Sequence, residues 1–296
     1  PTVVTSMAEY RALFGDVFES GSGANLGYYT YLTSLAAEEY LKHHDSLTVV
    51  RILAGDFGGA SSFVTASGVA ASSFQLHTLS DGAILNSGLP ADSTAGVGAN
   101  ARETTNNMLI SGSKDNLRWE VSNVNVSKGT FTLLIRSGND TIKRKNILET
   151  HNNLSLDPNS TNYIAKRLGD SKLNLRDSGT INPYIQASGS YPNRSKYVRV
   201  SGQRNTLNYL DENGNIRDAA LTASLPQAVS GTFANGSDGN VQHPQMFYDK
   251  ITATNSQGYN LGVGANGKTA YEDAINLLAN QDEYDINLLV LPGVIA

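Results

Sequence analysis

The sequence predicts an α+β fold in which both chain ends form a partial α/β core layer and a long, mostly antiparallel β-rich insertion forms one or two domains. Three observations predict it. Strand and helix signals alternate over residues 1–55, the same alternation returns after Thr269, and between them β-branched residues alternate with polar ones among frequent turn formers. The expected boundaries are 1–57 with 266–296 for the discontinuous core portion and 58–265 for the protruding insertion. If the insertion holds two subdomains, they divide at about 58–170 and 171–265.

Each element has a local reason. Thr2–Thr5 reads as a short strand, and Ser6 with Glu9 forms a capping box that opens a helix carrying Tyr10, Leu13 and Phe14, stopped by Gly15. A Gly/Ser-rich loop, Gly21–Gly27, leads to a helix expected from about Tyr28 to His43, and Leu47–Leu53 reads as a buried strand. This β-α-α-β order suggests a parallel layer. In the middle, Phe131–Arg136 and Thr141–Lys145 are expected to form a hairpin about Ser137–Asp140, and Asn213-Gly214 and Asn235-Gly236 mark further tight turns. Thr269 with Glu272 caps a last helix whose apolar face is Ala270, Ala274, Leu277 and Leu278, and Ile286–Leu291 follows as a strand closed by Pro292-Gly293. That strand is expected to share one sheet with the N-terminal strands.

Composition narrows the function. With 296 residues and 40% hydrophobic content the chain can bury a sizeable core. A net charge of −5 and 22 scattered Lys and Arg give no phosphate-binding patch, and the densest basic run, Lys143-Arg144-Lys145, reads as a solvated strand end, so no nucleic-acid partner is expected. The chain has no cysteine, which removes disulfides and thiol chemistry, and no run near the roughly 20 apolar residues needed to cross a bilayer, so no membrane partner is expected. The missing initiator Met and the apolar finish Leu288–Leu291 are what a chain trimmed at both ends would show.

The motif that most invites chemistry is Gly262-Val-Gly-Ala-Asn-Gly-Lys268-Thr269, which fits both a P-loop and a dinucleotide fingerprint before a helix. The neighbours such a site requires are missing. The preceding residues Asn255–Asn260 are polar rather than a buried strand, and Ile286–Leu291 ends in Pro-Gly rather than a metal-holding carboxylate. The simpler reading is a glycine-rich helix entry with Thr269 as N-cap. His43 and His44 suit the end of a helix. His77, His151 and His243 stand apart with no zinc spacing, and Glu38-Glu39 belongs to a helix surface. Asp211–Asn215 resembles a calcium loop whose Gly214 comes two positions early, so a hairpin turn is preferred. No residue is assigned as catalytic, metal-binding or cofactor-binding, and no cofactor is expected. Two other classes are a P-loop nucleotide enzyme on Gly262–Thr269 and a β-rich carbohydrate-binding or adhesin module. Tyr184, Tyr191 and Tyr197 are the first contacts to suspect in the latter, against covering of a sheet edge.

Three ordered stretches resemble the tail sheath proteins of contractile-tailed bacteriophages. The first is Pro1–Ser6 with Tyr10–Gly15, the tyrosine-rich stretch from Tyr28, and Thr48–Arg51. The second and most specific is Glu149-Thr-His-Asn-Asn-Leu-Ser-Leu-Asp-Pro-Asn-Ser-Thr-Asn-Tyr163. The third runs from Gly262 through the Ala270 helix to Ile286–Gly293. Residues from about 169 to 257 match nothing in that pattern. The resemblance implies a non-enzymatic structural subunit of the virion, assembled in the host cytoplasm. It stacks around an inner tail tube on a baseplate and contracts to drive the tube through the host envelope. It also implies other sheath subunits as partners, linked by terminal arms that add strands to neighbouring sheets. Neither arm is visible here, so this core fragment is expected to be monomeric in solution.

Overall fold

The computed structural model describes residues 1–14, 17–20, 27–52, 57–82, 85–86, 116–141, 143–238 and 266–292. Among the described residues strands (36%) outnumber helices (18%) and pair mostly antiparallel, which is compatible with a β-rich α+β class. The chain divides into two compact units. One holds Pro1–Gly55, Leu175–Ile185 and Asn240–Ala296, and the other holds Asp56–Asn174 and Gln186–Gly239.

The first unit opens with β1 (Thr2–Val4) and α1 (Met7–Phe14). The capping box forms: Ser6 Oγ accepts from the Glu9 amide at 3.2 Å, while the Glu9 carboxylate reaches back to the Thr5 amide at 2.9 Å, satisfying two donors that the helix start would otherwise leave open. A hairpin follows, β2 (Val17–Ser20) with β3 (Gly27–Thr30), then α2 (Leu32–Leu41) and β4 (Leu47–Val49). The helix expected from Tyr28 therefore begins later, because the β-favouring Tyr28-Tyr29-Thr30 pairs with β2 first. The strand expected over 47–53 is three residues long and half-buried.

The layer is also antiparallel rather than parallel, with Val4 opposite Leu47. The physical reason is a count of reversals. One crossover helix returns a strand parallel to its predecessor, whereas α1, the β2–β3 hairpin and α2 all lie between β1 and β4 and make the number of reversals odd. α1 and α2 hold each other through Val4, Tyr10 and Ala37, with Ser34 Oγ donating to the Tyr10 hydroxyl at 3.4 Å.

The second unit is built on two four-stranded antiparallel sheets. One has the order β12-β6-β5-β14, from Val198–Ser201, Ser72–Asp81, Phe57–Thr65 and Ser237–Asp238. The other has the order β13-β7-β8-β9, from Ser230–Thr232, Leu117–Asn125, Thr130–Ser137 and Ile147–Ser155. Phe74 of the first sheet stacks on Phe131 of the second at 5.7 Å, and the Trp119 indole donates to Ser62 Oγ at 2.9 Å, so the inner faces share one core. Gly231 lies against the Trp119 indole so closely that a Cβ would stand 2.5 Å from the ring, which only glycine permits. Two short helices, α3 (Ile164–Leu168) and α4 (Ala219–Thr222), interrupt a region where the sequence shows no helix signal. α3 inserts Ile164, Ala165 and Leu168 into the core.

The expected hairpin after Phe131 is real but wider. β9 begins at Ile147 rather than Thr141, and Ile142 lies outside the described residues. Asp140 explains the difference. Its carboxylate takes two hydrogen bonds from Arg136, one from Arg118 and one from the Asn146 amide, which shapes the intervening residues into a loop instead of strand.

The excursion 175–185 runs through a two-stranded ribbon, β10 (Lys172–Arg176) with β11 (Tyr184–Ser188). Its tip is held by α5 (Asn266–Leu278): the buried Asp273 carboxylate accepts from Ser178 Oγ at 2.5 Å and from the Gly179 amide at 2.8 Å. α5 starts three residues before Thr269, so Thr269 is inside the helix and is not its N-cap. Beyond it, Ile286–Leu291 forms no strand. The two chain ends belong to one unit, yet among the described residues no C-terminal strand joins β1 and β4 in a common sheet.

Candidate assembly surface

Among the described residues, apolar side chains left open to solvent concentrate in the first unit. Ile286, Leu288, Leu289, Val290 and Leu291 are exposed in a stretch with neither helix nor sheet pairing, with Leu288 at 62%. Beside it Tyr10, Ala37, Tyr40, Val49, Leu278 and Leu289 line a groove of about 350 Å³. The ribbon tip adds Leu175, Tyr184 and Ile185, with Ile181 at 80% exposure. A strand-like sequence whose backbone groups lack sheet partners is a template for another strand, and exposed apolar runs of this kind mark interaction surfaces in soluble proteins.

The residues singled out from sequence do not converge on a reaction centre. Of the P-loop look-alike, Gly262–Ala265 lies outside the described residues, and Asn266 already begins α5. His43 and His44 follow α2, their amides donating to the Tyr40 carbonyl at 3.1 Å, with the His44 ring stacked on Tyr40 at 4.7 Å. His243 lies outside the described residues. Glu38 and Glu39 form surface pairs with Arg11 and Lys42. Among the described residues no group of three His, Asp or Glu is placed to hold a metal ion, and no helix is long and apolar enough to cross a membrane.

Asp211 closes a turn. Its carboxylate accepts from the Asn215 and Asn213 amides at 2.8 and 2.9 Å, which holds its pKa below the usual carboxylate value, and Gly214 has φ +81° between bridged Leu210 and Ile216. The three tyrosines have separate settings. Tyr191 packs edge-on to Tyr163 at 6.1 Å with Lys166 over its ring, Tyr197 lies partly buried on the core, and Tyr184 is exposed on β11.

Glu149, Ser195 and His151 look at first like a hydrolytic triad, but the order is wrong. The carboxylate stands between the other two, accepting from Ser195 Oγ at 2.6 Å and pairing with His151 Nε2 at 3.1 Å, so the imidazole cannot take the hydroxyl proton. Burial pushes the Glu149 carboxyl up, and the hydrogen bonds from Ser195, the Lys196 amide and His151 outweigh it, leaving the group below its ordinary range. Ser195 Oγ also accepts from the Tyr197 and Val198 amides, which makes it a strand-entry cap. Downstream, Asp157 turns the chain through the Asn159 amide at 3.0 Å and Tyr163 donates to Asn205 at 2.9 Å. The whole Glu149–Tyr163 stretch is thus a joint between β9, α3 and the segment before β12.

Sequence reasoning missed a polar network in the second unit, the buried Arg118, Asp140 and Arg136 with Glu120 and the exposed Lys145 at its edge. Arg136 grips Asp140 with two bonds of 2.6 and 2.9 Å and Glu120 with one of 2.7 Å, and Lys145 closes on Glu120 at 2.7 Å. The only available signal was the i, i+4 spacing of Arg136 and Asp140 across a turn. The burial of Arg118 follows from the sheet and not from its neighbours. No protein-family model matches this chain, and a search of curated proteins finds no similar one.

Proposed function

We propose that the chain is a structural subunit of a contractile phage tail sheath, which polymerises around a tail tube on a baseplate and contracts to drive the tube through the host envelope. The observation that carries this reading is the exposed, sheet-unpaired run Ile286–Leu291, which has the apolar, strand-like composition that strand exchange between subunits requires. Two further points support it. The three stretches resembling sheath proteins occur in order along the chain, and the most specific of them is spent on internal bracing rather than on a reactive site. A polymer that changes contacts while its subunits keep their fold needs a rigid body with a separate contact surface. The partners on this reading are neighbouring subunits, tube and baseplate, and the location is the virion after assembly in the host cytoplasm.

Electron microscopy of the full-length protein at rising concentration, alone and with tail tubes, tests the proposal. Helical tubes or sleeves of regular repeat are expected. Dispersed particles under all conditions would sink it.

A further inference from the structure

The outer face of the β12-β6-β5-β14 sheet carries a patch that the assembly reading does not use. Inward positions are apolar and fully buried: Val64, Phe74, Leu76, Val198 and Val200. Outward positions form two cross-strand rows fixed by register, Ser61–His77–Arg199 and Phe63–Gln75–Ser201. Strands about 4.8 Å apart and a two-residue step of about 6.8 Å give these six side chains a platform of roughly 10 by 7 Å.

Three features separate this patch from an ordinary solvated sheet face. Phe63 lies open, at 64% exposure, beside polar neighbours. Arg199 is half-buried, and among the described residues its guanidinium makes no hydrogen bond or ion pair. Asp170 is near enough to favour its charge without bonding to it, and its Oδ1 accepts from the Ser190 and Tyr191 amides at 2.9 and 2.7 Å. Finally, His77 is tied to Ser201 Oγ at 2.7 Å, while the side chains of Ser61 and Gln75 hold hydrogen-bonding groups without side-chain partners among the described residues. A planar fork of donors seeks a carboxylate, a phenyl face suits the C–H face of a sugar ring, and amide and hydroxyl groups suit its hydroxyls.

We propose that this face is a binding site for an acidic sugar, a uronic acid whose carboxylate meets Arg199, whose ring lies on Phe63 and whose hydroxyls meet Gln75, Ser61 and the His77–Ser201 pair. The site takes the ligand free or as a residue of a polysaccharide. Lys172, whose charge reaches His77, adds to the positive field around it.

NMR titration of the whole chain tests the assignment with sodium glucuronate, glucose and acetate as separate probes, at concentrations on the order of 10 mM, where single-sugar affinities fall. Glucuronate is expected to shift the amides of residues 61–63, 75–77 and 199–201 saturably, at least tenfold more tightly than glucose or acetate. Phe63→Ala, at a position too exposed to matter for folding, should weaken glucuronate severalfold. Arg199→Gln should reduce it to the glucose level, and Arg199→Lys, which keeps the charge but loses the fork, should fall between. Tetragalacturonate binding more tightly than the monomer, or equally, sustains the site and distinguishes polymer from free acid. No shift at these residues, equal binding of acetate and glucuronate, or polyglutamate binding as tightly as tetragalacturonate overturns the proposal.

Discussion

The two units differ in how much of their apolar surface they bury for themselves. In the unit of residues 56–174 and 186–239 a continuous core runs from Ala60 to Phe233, and even the outer side of its β7-β8 pair is closed by a buried ion network. In the unit that holds both chain ends, the fully buried apolar cluster is Val4, Tyr10 and Ala37, and Leu13, Leu32, Leu35, Ile275 and Leu288 remain exposed. One body buries an extensive core of its own, whereas the other buries little and leaves more large apolar side chains exposed. In an assembly subunit that division separates the part that must stay rigid from the part that meets neighbours.

The largest effects should therefore fall in the second unit. Asp140→Ala strands Arg118 and Arg136 in the interior without their carboxylate, and a loss of about 3–5 kcal/mol in urea unfolding is expected. A loss under 1 kcal/mol would show that water reaches the network and that this unit is less closed than described. Phe131→Ala removes a fully buried ring stacked on Phe74 and should cost about 3–5 kcal/mol in the same measurement.

A smaller, pH-dependent effect sharpens the contrast. Burial first, then the charges of Arg199 and Lys172, depress the His77 pKa to about 4, from an ordinary 6.5. Between those values the unfolded chain binds a proton that the folded chain does not, so stability should fall as pH drops from about 6.5 to about 4 and level off below. The partly exposed ring is screened, so the loss is on the order of 1 kcal/mol. Thermal melts across that range should show the slope, and His77→Gln should remove it. An unchanged slope in the variant would contradict the assignment to His77. Glu149 acts in a lower window, since its depressed carboxyl loses its contribution only as pH falls below about 4.5.

The smallest effect is expected at the exposed surface. Leu289→Ser should change the unfolding free energy by no more than about 0.5 kcal/mol, because the side chain is half open to solvent. A loss of 2 kcal/mol or more would mean that this run is core rather than contact surface.

Local grammar was legible where short-range chemistry decides. Ser6 and Glu9 announced α1, Asn213-Gly214 announced its turn, and Phe131–Arg136 announced β8. What failed depended on partners far along the chain. Ile286–Leu291 has strand composition, but composition supplies no neighbouring edge to pair with. The direction of β4 depended on how many elements intervene after β1, including the unforeseen β2–β3 hairpin, and not on any residue in it. Of the features bearing on function, the apolar C-terminal run was readable in sequence. The Arg199–Phe63 platform was not, because its six residues come from three strands that only register brings together.

The most direct test of the central claim is hydrogen–deuterium exchange on the protein before and after assembly into polymer. The account predicts new protection at residues 286–291 and in the ribbon tip around Ile181–Ile185, with β7 and β8 unchanged from the dispersed state. Protection gained only within residues 56–174 and 186–239, or a full-length protein that never polymerises, would contradict it.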